Sequence, residues 1–244
     1  MTKEFEKNSK ERCKLPYRVD QIRSAVSAMS RRLADEPHSA RVVDDSSLWY
    51  SITRSLLSSQ VRYEVAQKAC DRLYVSGLYS PSSLSIIDNP GRLRAKIEST
   101  LTTASPRIRF GHTRARQLVQ AFSHFHRNKI SLVSVLEAQN SETGRRDFLV
   151  ENIPGVGMKQ GSMVLRDTAW ATHLAIIDTH IINYMSSIHL LKPYSELPKT
   201  AARYRHYEKQ FVDHAATIGE PVARLDQAAW WVMREIRRRG EKWT

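Results

Sequence analysis

The chain has 244 residues, enough for one large domain or two small ones built around a hydrophobic core. Hydrophobic residues make up 41% of it, which excludes a wholly disordered chain, and 38 Lys and Arg against 25 Asp and Glu leave a formal net charge of +13. That excess points to a polyanionic partner, with nucleic acid ahead of anionic lipid or plain solubility.

Residues 1–16 read as a charged, mobile tail with no apolar core, so no secretory signal is expected. From Tyr17 the pattern becomes helical, with Ile22, Val26, Met29 and Leu33 forming one apolar stripe at spacings of three and four. Asp45 and Ser46 are suited to cap a second helix that carries Leu48, Ile52 and Leu56. A third carries Val61, Val65, Ala69 and Leu73, and Gly77 stands where a C-cap is expected. Asp88-Asn89-Pro90 marks a turn with Pro at a helix start, and Ala115, Leu118, Val119 and Phe122 line the next helix. The last two helices are expected near 199–218 and 221–237, the second opened by Pro221 and faced by Val222, Leu225, Ala229, Val232 and Ile236. Period-two alternation is nearly absent; only Leu174-Ala175-Ile176-Ile177 could form a short, isolated strand. The predicted fold is therefore all-α. No run of 18 apolar residues is present to span a membrane.

Two cysteines, Cys13 and Cys70, cannot by themselves build a four-thiolate zinc or iron–sulfur site. No cofactor and no metal are expected, and a reducing compartment fits: the cytoplasm, associated with DNA, or the nucleus. His124 and His126 lie two apart on a helix and diverge, so they do not suggest a metal pair.

The stretch with most chemical content runs from Ile153 to Lys159, Ile-Pro-Gly-Val-Gly-Met-Lys. Gly155 and Gly157 bracket one apolar residue, can take positive φ, and expose backbone N–H groups. A helix follows at once, and its free N–H groups and positive dipole end add to a cradle for a phosphate oxygen, with Val156 packing inward. A tight helix–helix turn that binds nothing would carry the same glycines; the basic charge of the chain favours the phosphate.

Ile153 to Lys159, followed by Ile176-Ile177-Asp178-Thr179-His180-Ile181, resembles the helix-hairpin-helix DNA glycosylases, which include endonuclease III and the 8-oxoguanine DNA glycosylases. Leu56-Leu57-Ser58-Ser59-Gln60 and the region from Arg107 to Leu118 also resemble that superfamily, so the likeness covers roughly residues 44–190. It implies a central helical bundle over 44–164 that includes the hairpin, packed against a second lobe formed by 17–43 and 165–244, with duplex DNA across the cleft. It also implies that Lys159 is the nucleophile of a bifunctional glycosylase and AP lyase acting as a monomer. A lysine attacks the sugar C1′ only as the neutral amine, a form favoured by desolvation and by the positive end of a helix. Asp178 is an evident N-cap; the resemblance adds a carboxylate that stabilises developing positive charge and assists proton transfer.

Leu225-Asp226-Gln227-Ala228-Ala229-Trp230 resembles a segment of the smaller, archaeal-type 8-oxoguanine glycosylase/lyases. The resemblance implies that Trp230 stacks on the extruded purine and Asp226 contributes to the base pocket; their spacing of four shares one helix face. Read without it, Trp230 is a core residue. The chain continues through Arg237-Arg238-Arg239 to Thr244, beyond where those relatives end, and this tail can cover the pocket, contact phosphates, or do neither. Asp178-Thr179-His180 is closer to endonuclease III, which prefers damaged pyrimidines and in which a residue matching Gln60 probes the gap left by the flipped base. The expected activity is excision of an oxidised base, 8-oxoguanine first. The alternatives are the same mechanism on an oxidised pyrimidine, and a non-catalytic protein that binds DNA through the hairpin.

Overall fold

The computed structural model describes residues 17–35, 44–59, 61–77, 89–103 and 108–240. Among them there is no β-strand, and the chain is all-α as its patterning predicts. Two compact units emerge, one within residues 39–174 and the other joining 1–38 to 175–244. No helix of the described residues is long and apolar enough to cross a membrane.

In the unit within 39–174 the helices are α2 (Asp45–Leu57), α3 (Tyr63–Val75), α4 (Pro90–Thr103), α5 (Gly111–Arg127), α6 (Leu132–Glu137), α7 (Glu142–Asn152) and α8 (Met158–Asp167). Helix α2 is the centre of this unit. Leu48, Ile52, Leu56 and Leu57 are all 0% exposed, and the helix packs against α3, α5, α6 and α8. The cap of α2 differs by one residue from the predicted one. Asp44 caps α2 through the Ser47 amide, while Asp45 accepts from Ser131 Oγ and the Val133 amide, so it serves the start of α6. Gly77, at φ 71°, lies just past the C-cap of α3, where the left-handed conformation ends a helix.

The other unit contains α1 (Val19–Ala34), α9 (Thr179–Ser187), α10 (Ala201–Thr217) and α11 (Val222–Gly240). The apolar stripe of α1, including Ile22, Val26 and Leu33, lies against α11, which also packs on α9 and α10. Ser30 donates to Glu220, and Arg224 reaches both, a polar link between α1 and the start of α11. The predicted strand at 174–177 is instead an irregular segment that pairs with no strand among the described residues, although all four residues are buried.

Candidate active site

Helices α7 and α8 are joined by five residues, Ile153 to Gly157. Gly155 alone of the two glycines takes the left-handed conformation, with φ 86°, and a Cβ there would collide with the Gln117 side-chain amide. Gly157 is extended at φ −105°, which any residue can adopt, and its N–H donates to Gln160 Oε1 at 3.2 Å. The Val156 N–H is also used, on the Ile153 carbonyl, and the Val156 side chain packs in the core at 5% exposure. The set of unpaired amides at the hairpin is thus narrower than the sequence suggested. Among the described residues it consists of the Gly155 amide and the first-turn amides of α8, which no side chain caps and which have no intrahelical acceptor.

Lys159 is the second residue of α8 and is half-buried. No ion pair ties it to a carboxylate among the described residues of its unit. Its helix is anchored from three directions. The Ser55 hydroxyl of α2 donates to the Gln160 carbonyl at 3.2 Å; Arg54 pairs with Asp167 at 2.5 Å; and the buried Arg146 of α7 donates to Ser162. Gly161 lets α7 approach, since a Cβ there would meet Arg146 Cγ at 2.9 Å. Glu142, at the start of α7, accepts the amides of Thr172 and His173 beyond α8. Burial opposes ionisation of Glu142, but those backbone bonds and His173 outweigh it and hold the carboxyl below its ordinary value.

Asp178 ends the buried segment and caps α9: its Oδ1 accepts the amides of His180 at 2.8 Å and Ile181 at 3.0 Å. Oδ2 is left without a hydrogen-bond partner among the described residues of its unit. The capping expected from sequence is therefore met by one oxygen alone. His180, two residues on, lies edge-to-face with Trp230 at 5.7 Å between ring centroids. Trp230 is half-buried, with Trp231 edge-on at 5.2 Å and the Arg234 guanidinium 4.9 Å from its centroid. Asp226, one turn earlier, is 1% exposed and accepts the Ile176 amide at 2.8 Å. In this conformation its carboxylate faces the backbone ahead of Asp178.

A family model described as 8-oxoguanine DNA glycosylase matches residues 30–220, which take in the hairpin and the Asp178 segment alike. The chain belongs to that family. A relative in the 8-oxoguanine DNA glycosylase family, the 8-oxoguanine DNA glycosylase/AP lyase of Methanocaldococcus jannaschii, is 29% identical over 126 residues. The match covers 51% of this chain and 56% of that protein, so the chain spans little more than half the length of the relative. The crystal structure of the M. jannaschii 8-oxoguanine glycosylase/lyase in complex with 15mer DNA containing 8-oxoguanine has a TM-score of 0.63 to this fold at 21% identity, covering 87% of this chain and 89% of that one. A trapped endonuclease III–DNA covalent intermediate is more distant, with a TM-score of 0.52 at 16% identity over 89% of this chain and 85% of that one. Identities this low establish the shared fold.

Within the family frame, Gly155, Val156, Gly157 and Lys159 lie together on the hairpin, and Asp178, Asp226 and Trp230 lie together in the unit of 175–244. Gln60 lies outside the described residues, as do Cys13 and 241–244; Arg238 and Arg239 continue α11 and pair with Glu235. No group of three His, Cys, Asp or Glu among the described residues could hold a metal ion. Sequence reasoning missed Gln160, although its position three residues after the N-cap Gly157 is the spacing of a capping box. It also missed Gln117 beneath Gly155, and Tyr204, whose hydroxyl bonds to the backbone of Ala175 and Ile177; nothing local in the sequence marks either one.

Proposed function

We propose that the protein is a bifunctional DNA glycosylase and AP lyase that excises 8-oxoguanine from duplex DNA, as a monomer, where the cell keeps its DNA. The observation that carries this reading is the family match over residues 30–220 together with a lysine in the first turn of the helix behind a glycine hairpin. The uncapped amides of α8 and Gly155 hold a phosphate oxygen, as helix N-termini do. The Lys159 amine attacks C1′; the glycosidic bond breaks, and the base leaves with the bonding electrons and takes up a proton. Ring opening gives an imine between Nζ and C1′. Loss of a C2′ proton then expels the 3′ phosphate, which cuts the strand, and water frees the lysine. Asp178 Oδ2 stabilises positive charge at the sugar and shuttles the protons. The lysine supplies the electrophilic imine itself, so the sequence needs no metal or cofactor. Trp230 stacks on the extruded base.

Asp178-Thr179-His180 and the likeness to endonuclease III support a second reading, the same chemistry on an oxidised pyrimidine. Duplexes carrying one defined lesion each separate the two. We expect cleavage at 8-oxoguanine to exceed cleavage at oxidised pyrimidines, with borohydride trapping lost and DNA affinity retained in Lys159→Ala. Cleavage confined to pyrimidine lesions rejects the base assignment; undiminished trapping in Lys159→Ala rejects the nucleophile; absence of any trapping leaves a DNA-binding protein.

A further inference from the structure

The segment Leu174–Ile177 is buried, with its residues 4%, 0%, 4% and 1% exposed, and it is in no helix and has no partner strand among the described residues. Backbone groups in such a place must find partners elsewhere, since a buried orphan N–H is costly. Two distant side chains supply them. Asp226 Oδ2 accepts the Ile176 amide at 2.8 Å. The Tyr204 hydroxyl accepts the Ile177 amide and donates to the Ala175 carbonyl, both at 3.0 Å. Asp226 and Tyr204 are themselves 1% and 3% exposed, so neither bond competes with solvent. The next residue is Asp178, which turns the chain into α9. Helix α11 therefore touches the chain on both sides of Asp178, at Ile176 through Asp226 and at His180 through Trp230.

We infer that Asp226 and Tyr204 are positioning residues, fixing the peptide units ahead of Asp178 and thereby where its carboxylate stands. Asp226 then works through the backbone and does not read a base edge. The inference rests on the catalytic role proposed for Asp178. A displacement of about 1 Å at a reacting group can slow a reaction on the order of a hundredfold, so losing either clamp should be felt in the rate of base removal.

The test is a double-mutant cycle on single-turnover base excision, at a temperature where melting curves show every variant folded. Asp178→Asn, which remains a competent cap, should slow excision on the order of a hundredfold. Tyr204→Phe and Asp226→Ala should each slow it roughly tenfold, and Asp226→Asn, whose amide oxygen can still accept the Ile176 N–H, should recover most of that loss. In an Asp178→Asn background, Tyr204→Phe and Asp226→Ala should add less than about twofold, because coupled positions do not add. Losses that multiply instead show a merely structural role and overturn the inference. An Asp226→Asn as slow as Asp226→Ala on the lesion but normal on a preformed abasic site also overturns it, in favour of base reading. If Asp226→Ala does not fold, Tyr204→Phe carries the cycle alone. An inert Asp178→Asn overturns both the role of Asp178 and the inference; a slow Asp178→Asn with multiplying losses overturns the inference only.

Discussion

The hairpin at 153–159 and the segment at 174–178 both lead from irregular chain into the first turn of a helix, yet they are held in opposite ways. The hairpin is settled locally. Gly155 turns the chain, Val156 fills the core, and Gln160 takes up the Gly157 amide, all within a few residues. The segment before Asp178 is settled remotely, by Tyr204 and Asp226, partners 27 and 50 residues further along the chain. The first arrangement leaves the first-turn amides of α8 without an intrahelical acceptor; the second pairs the Ile176 and Ile177 amides and leaves one Asp178 carboxylate oxygen without a hydrogen-bond partner among the described residues of its unit. In the proposed function the first receives a backbone phosphate and the second places a charge.

Substitutions can break this contrast. The largest effect is expected at Trp230, which meets the chain just beyond Asp178 at His180. Trp230→Ala should cost about 1–3 kcal/mol in lesion excision, the range for base–aromatic stacking, and much less in cleavage of a preformed abasic site. Equal loss of both activities with a collapse in melting temperature would make Trp230 a packing residue. In the hairpin, Gly155→Ala forces a side chain into the left-handed region against Gln117 and should lower stability by about 1–2 kcal/mol and weaken duplex binding. Gly157→Ala, in extended backbone, meets only the Gln160 side chain, at 3.1 Å, and should cost less than Gly155→Ala. Similar losses at both glycines would show that the two do different work only in the sequence.

The smallest expected effect is a separation by acid. Burial, with Arg23 nearby, lowers the His214 pKa below its ordinary 6.5 in the unit of 175–244, where its ring meets the Tyr184 hydroxyl, itself pushed up to about 12 by burial. As pH falls through 6.5 the unfolded chain takes the proton first, so His214 opposes folding from there down. Glu142, lowered below 4.5, stabilises the hairpin unit until the pH falls through that value. Protection factors, which divide out the intrinsic pH dependence of amide exchange, should therefore fall in α9 and α10 before they fall in α7 and α8, and His214→Gln should remove that lead. A simultaneous fall, unchanged by the variant, would deny it.

The same contrast decides what could be read from sequence. The helices follow from apolar spacing, and Lys159 and Asp178 stand at helix starts that Gly-Val-Gly and Ile-Ile-Asp announce. Asp44 and Asp45 could not be told apart, because the choice depends on Ser131 and Val133, more than eighty residues away. Leu174 to Ile177 looked like a strand for a related reason: burial of apolar residues is visible in sequence, but the identity of whatever bonds their backbone is not. Asp226 carried a motif, and the motif named the residue without naming its partner.

Whether the locally built hairpin presents the nucleophile is read directly by borohydride reduction of the protein with an 8-oxoguanine duplex, followed by proteolysis and mass spectrometry. A reduced sugar remnant on Nζ of Lys159 is the expected result. A remnant on another lysine or on the N-terminal amine, with Lys159 unmodified, would contradict it.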